Sequence, residues 1–98
     1  MKKTLDEIRD IIDRHRGELR RVHRITALAV FGSYVRGEQK RGSDLDLLAE
    51  FAGSVSLLDL VGAEQYLSRI LNVKVDLIPR EDVRPELKAG IMKEAVSV

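Results

Sequence analysis

Ninety-eight residues with a formal net charge of +1 and no cysteine leave room for one modest core. They exclude disulfides, zinc–thiolate sites and thiol nucleophiles, and near-neutrality argues against a polyanion as the main partner. No apolar run reaches membrane-spanning length and no signal-peptide segment opens the chain, so a cytoplasmic protein with a single domain over residues 1–98 is expected.

Thr4 with Glu7 three residues later reads as a capping box that starts a helix near Leu5. Leu5, Ile8, Ile12, Leu19 and Val22 recur at helical spacing and predict one apolar stripe, with His15 on it as a boundary or core residue. Asp10 with Arg14, and Glu18 with Arg21, add support on the wet side, where Gly17 also falls. Arg14, Arg16, Arg20, Arg21 and Arg24 form the one dense basic run. It reads as a solvated face; the sharper alternatives are a docking surface for an acidic partner or for RNA. Tyr34 alone of the two tyrosines is near the run in sequence, so the stacking platforms of single-strand binders are not supported and nucleic acid is an unlikely partner.

Ile25 to Phe31 predicts a buried strand that stops at Gly32, and Ser33 opens a short segment able to start a helix. Helix N-termini present unpaired N–H groups to anions. After the polar loop Glu38 to Gly42, Leu45 to Phe51 alternates. Leu45, Leu47, Ala49 and Phe51 are expected in the core, with Asp44, Asp46 and Glu50 on the other face. Ser56 with Asp59 starts a helix to about Leu71, whose expected core stripe is Leu57, Leu60, Val61, Leu67 and Leu71, with Leu58 and Tyr66 on the far side. Asn72 is its stop. Val73 to Ile78 predicts a third strand carrying a lone carboxylate, Asp76, and Pro79 closes it. Pro85 opens a last helix with Leu87, Ile91 and Ala95 facing inward. The fold class is a small α/β (α+β-like) domain, order α-β-α-β-α-β-α, with helices packed on a mixed three-stranded sheet.

Asp44 and Asp46 cannot both ionise close together without a penalty unless a cation neutralises them, and Asp76 on a neighbouring strand increases it. Carboxylates beside a phosphate cradle match a Mg²⁺–nucleotide site, with two ions about 3.5–4 Å apart in the two-metal case.

Gly32-Ser33-Tyr34-Val35-Arg36-Gly37, then Ser43-Asp44-Leu45-Asp46-Leu47, then Asp76 within Val-Lys-Val-Asp-Leu-Ile, resembles the minimal nucleotidyltransferases of the DNA polymerase beta-like superfamily. The resemblance spans essentially the whole chain, including the closing Glu-Leu-Lys and Ile-Met-Lys-Glu-Ala segments. It implies that Gly32 and Ser33 hold the triphosphate of ATP, that Asp44 and Asp46 bind Mg²⁺, and that Asp76 completes one metal site and helps deprotonate the acceptor hydroxyl. Arg36 either neutralises phosphate or pairs with a carboxylate to fix the loop. Lys74 could approach the nucleotide, although it, Lys40 and Arg41 read as solvated, and Tyr34 and Ser43 as shaping the turns. Larger members carry a second domain for the acceptor, so here a partner or a second copy supplies that surface. The partner the resemblance implies is a helical HEPN toxin, with AMP added to its tyrosine. The alternatives are an antitoxin that neutralises by occlusion and, more weakly, an RNA binder or a small-molecule transferase.

Overall fold

The computed structural model describes residues 4–39 and 43–98, so the loop residues Lys40 and Arg41 lie outside the described residues. Helix α1 (Leu5–Arg14) begins on the expected capping box. Thr4 Oγ1 accepts from the Glu7 N–H at 3.2 Å while the Glu7 carboxylate accepts from the Thr4 N–H at 3.2 Å.

The single leading helix expected from the apolar spacing is in fact two, α1 and α2 (Arg16–Arg21). The cause is His15. Its N–H turns to the Ile12 carbonyl at 3.0 Å, a tightened last turn, and Ile11 O is instead met by His15 Nδ1 at 2.7 Å. Nδ1 therefore carries the proton and donates. The break leaves Val22 beyond α2 and exposed rather than on the stripe, while Ile8, Ile12 and Leu19 stay buried. Glu18 and Arg21 pair at 2.7 Å, but Arg14 reaches the Asp10 carbonyl oxygen, not its carboxylate.

The sheet holds four strands in the order β3-β2-β1-β4, not three. β1 (Ile25–Phe31) runs antiparallel to β2 (Leu45–Phe51), β2 runs parallel to β3 (Val75–Pro79), and β4 (Val96–Ser97) runs antiparallel to β1. Two residues are too few for a periodic signal, which is why β4 escaped the pattern. β3 starts two residues later than expected and includes Pro79, which is tolerable on an edge strand. Ile25 and Leu28 both face the core because a bulge at Thr26 shifts the strand's phase by one residue.

One face of the sheet, with Leu28, Val30, Leu45, Leu47, Ala49, Val75 and Leu77, packs under α1, α2 and α4 (Leu57–Leu71). Ser56 caps α4 with Asp59 as read, and Asn72 ends it in the left-handed region at φ 53°. Its buried stripe, Ala63, Leu67 and Leu71, is confined to the later turns. Leu57 and Val61, expected in the core, are exposed at 75% and 40%, whereas Leu60 between them packs against the core as expected. Tyr66, placed on the far side by the same reading, is half-buried with its ring 4.7 Å from that of His23.

The opposite face carries Ala27, Ala29, Phe31, Asp46, Leu48, Glu50, Asp76 and Ile78. Helix α5 (Pro85–Glu94) lies over it, yet none of its residues is buried. Leu87 is 52% exposed, Ile91 half-buried, and Ala95 falls in the turn to β4, so the inward stripe expected of this helix does not form. The floor beneath it is mixed: Phe31, Leu48 and Ile78 are interrupted by the small Ala27 and Ala29 and by the carboxylates of Asp46, Glu50 and Asp76.

Two outcomes follow for stability. Leu67→Ala should cost about 2–5 kcal/mol in urea melts, since a wholly buried side chain is removed from the centre of the core. Ser56→Ala should cost about 1 kcal/mol, the worth of one N-cap, without changing the fold by circular dichroism.

Candidate active site

The acidic end of the sheet is assembled from three consecutive structural events. β1 ends at Phe31, and Gly32 takes φ 77° and ψ −149°, a conformation open in practice only to glycine. The turn launches the one-turn helix α3 (Ser33–Arg36), closed by Gly37 in the left-handed region. β2 then returns, with Asp44 just before it and Asp46 paired across from Phe31. In the parallel ladder Asp46 is paired with Asp76 of β3. Two carboxylates thus sit side by side on adjacent strands, on the same sheet face, beside the glycine bend.

Gly32 is needed there for space as well as for conformation. A Cβ on it would stand 2.4 Å from Asp46 Oδ2, so the backbone lies flush against the carboxylate. Asp46 is pushed above the ordinary aspartate range, first by burial, then by the charges of Asp76 and Asp44, against a smaller opposing pull from Arg36. Asp46 therefore feels the charge of both other expected carboxylates. Among the described residues, no three such side chains stand as a ready metal-ligand set; their convergence is electrostatic. Their donor chemistry fits a hard divalent cation: oxygens in negative excess, one of them penalised for its charge.

Arg36 is already engaged. It donates to Glu38 at a short 2.5 Å and to Glu94 of α5 at 2.7 Å, so of its two expected roles the loop-fixing one is realised here, while its charge still reaches Asp46. Glu94 was not singled out by the sequence reading, because a partner 58 positions away leaves no local signal. Lys74 is 80% exposed with Nζ 3.9 Å from Asp44 Oδ2, a loose contact for a side chain expected to be solvated. Tyr34 is buried, its phenol pushed up by burial and by the Asp44 charge, so it remains protonated beside that carboxylate. Glu64 of α4 accepts from the Leu77 N–H at 2.8 Å, steadying β3 next to Asp76 from the other side of the sheet.

Two substitutions test this arrangement. A raised carboxyl pKa means that the fold disfavours the charged form, so the penalty is absent in acid and fully present at neutral pH. Asp46→Asn should therefore raise the melting temperature of metal-free protein at neutral pH, with the gain shrinking as the pH falls through the carboxylate range. Gly32→Ala should lower stability by about 1–3 kcal/mol through backbone strain and the displaced Asp46 carboxylate, measured by chemical denaturation.

The pattern of the nucleotidyltransferase domain family matches residues 12–98. The chain is 39% identical to the protein adenylyltransferase MntA of Thermococcus cleftensis over 95 residues, 97% of this chain and 96% of that one. A solved structure described as a minimal nucleotidyltransferase superposes with a TM-score of 0.81 at 31% identity, covering 98% of this chain and 97% of that one. The tri-AMPylated Shewanella oneidensis HEPN toxin in complex with MNT antitoxin shares the fold at a TM-score of 0.66 and 18% identity, with 92% of this chain and 70% of that one covered. With the family pattern reaching from the last turn of α1 to Val98 and the Thermococcus relative covered almost end to end, the chain belongs to the nucleotidyltransferase domain family, among its minimal members, and its chemistry is nucleotidyl transfer.

Proposed function

We propose that this nucleotidyltransferase is an antitoxin that transfers AMP from ATP to a tyrosine hydroxyl of a helical HEPN partner in the cytoplasm, with Mg²⁺. The observation that carries the reading is the pairing of Asp46 with Asp76 beside the Gly32 bend. The relative named as a protein adenylyltransferase and the fold neighbour with an AMPylated toxin support the acceptor class.

In this reading Gly32 and Ser33 receive the triphosphate at the start of α3, where backbone N–H groups are free of helical partners. Arg36 offers charge to the phosphates from its anchored position. Asp44 and Asp46 hold the metal, and Asp76 completes one metal site. The bound cation supplies charge neutralisation for the carboxylates and the phosphate oxygens. Asp76 helps take the proton of the acceptor hydroxyl. The oxygen attacks the α-phosphorus, the bond from that phosphorus to the bridging oxygen breaks, and pyrophosphate leaves on the Ser33 side. β3, which carries Asp76, is an edge strand, where a partner can approach. The acceptor surface itself comes from the partner or from a second copy of the chain.

The test is incubation of the protein with its partner, Mg²⁺ and ATP labelled on the α-phosphate. Asp44→Asn with Asp46→Asn should reduce label on the partner at least about a thousandfold, since several kcal/mol of transition-state stabilisation depend on those oxygens. Intact mass should show the added adenylyl group only with the unsubstituted protein. If the double variant still neutralised the partner and no label appeared with either protein, occlusion would be the mechanism instead.

A further inference from the structure

We propose that the groove between α2 and the outer edge of β1 docks an acidic, extended segment of a partner polypeptide. This inference is independent of the transfer chemistry. It starts from a strand edge that is only half covered. β4 pairs with Ala29 and Val30, and the Val98 N–H donates to the Leu28 carbonyl at 3.0 Å. Below Leu28, among the described residues, no strand lies on that side of β1. The edge instead borders an open cavity of about 340 Å³ facing α2.

The walls of that cavity have a definite chemistry. Leu19, Ile25 and Leu28 give it an aliphatic floor, Arg16 and Arg20 stand on the helix side, and no carboxylate lines it. Between the two arginines in sequence, Gly17 faces open space: a Cβ there would meet nothing within 4 Å, so this position puts no side chain in the way of an extended backbone. The arginines are not equivalent. Arg16 is paired with Asp13, Arg21 with Glu18 and Arg24 with Asp59, whereas Arg20 has no ion-pair or hydrogen-bond partner among the described residues. Its charge is uncommitted at the mouth of a groove that holds no negative group, so the complementary occupant is acidic.

The occupant's conformation is indicated by the chain itself. Val96 to Val98 already runs extended along the upper half of this edge, and Arg16 donates to the Val98 carbonyl where that run ends. The free stretch from Leu28 to Ile25 continues the same track for about 10 Å, the span of three or four extended residues. A peptide fits better than RNA, because no aromatic ring lines the groove on which a base could stack. The groove borders the opposite half of β1 from Phe31, the residue paired with Asp46, so a docked segment leaves the carboxylate face free.

The experiment is a titration of ¹⁵N-labelled protein with an alternating Glu-Val octapeptide, and separately with a Lys-Val octapeptide and octauridylate RNA. The acidic peptide should bind saturably and shift the amides of Gly17, Arg20, Ala27 and Leu28. Arg20→Glu and Gly17→Trp should each weaken it about tenfold, while Gly17→Ala leaves it unchanged; dispersed spectra verify that each variant folds, and Arg20→Gln serves as the milder second variant. The proposal is overturned if the acidic peptide does not saturate, if the lysine peptide or the RNA binds as well, or if neither groove variant alters affinity. A concentration-dependent dimer abolished by Gly17→Trp would also overturn it, assigning the groove to a second copy of the chain.

Discussion

The acidic end of this molecule depends on the register of one parallel strand pair. Asp46 sits beside Asp76 because Leu45 pairs with Val75 and Leu47 with Leu77. Those four residues are buried at 4% exposure or less, so the core face dictates the alignment and the carboxylate face inherits it. A slip of β3 by one residue would turn Asp76 into the core and Val75 and Leu77 into water, which the hydrophobic effect opposes. Two like charges are thereby held together by groups on the other side of the sheet. The repulsion is local and the force that overcomes it is distributed over the core.

Much of this was legible before any coordinates. The capping boxes at Thr4 and Ser56 depend on two residues three apart, and alternation in Leu45–Phe51 depends on neighbours two apart, so both are written locally. The aspartate pattern places Asp44 and Asp46 at the start of β2 for the same reason. What failed to show were features with no local period. The break at His15 comes from a side chain taking over a backbone carbonyl, inside a stretch whose apolar spacing is otherwise continuous. The Arg36–Glu94 contact joins residues far apart in the chain, and β4 is two residues long. Leu57 and Val61 obey the helical period and are still exposed while Leu60 between them packs on the core, because periodicity says which residues share a face but not how wide a strip of that face is covered.

The looseness of α5 has the same origin as the site. A sheet with both faces apolar would bury this helix firmly, as parallel sheets generally do. Here one face interleaves Phe31, Leu48 and Ile78 with Asp46, Glu50, Asp76 and two alanines, so its apolar ground is interrupted. The helix is held instead by polar fastenings and by its ends: Glu94 to Arg36 at one end, the β4 pairing just beyond it, and Pro85 fixing the first turn at the other. Exposed ion pairs of this kind contribute little stability, of the order of 0–1 kcal/mol each. An element tied in this way can open at small cost, and it stands over the face that carries Asp46 and Asp76.

Arg36 connects these observations. Its guanidinium is shared between Glu38 of the turn and Glu94 of α5 while its charge offsets part of the burden on Asp46. One side chain thus belongs to both the turn and the helix, so the glycine bend and α5 share a fastening. The sharing also gives the closing Glu-Ala segment a physical role: Glu94 pairs with the arginine of the α3 turn, and Ala95 follows it into the β4 pairing that closes the sheet.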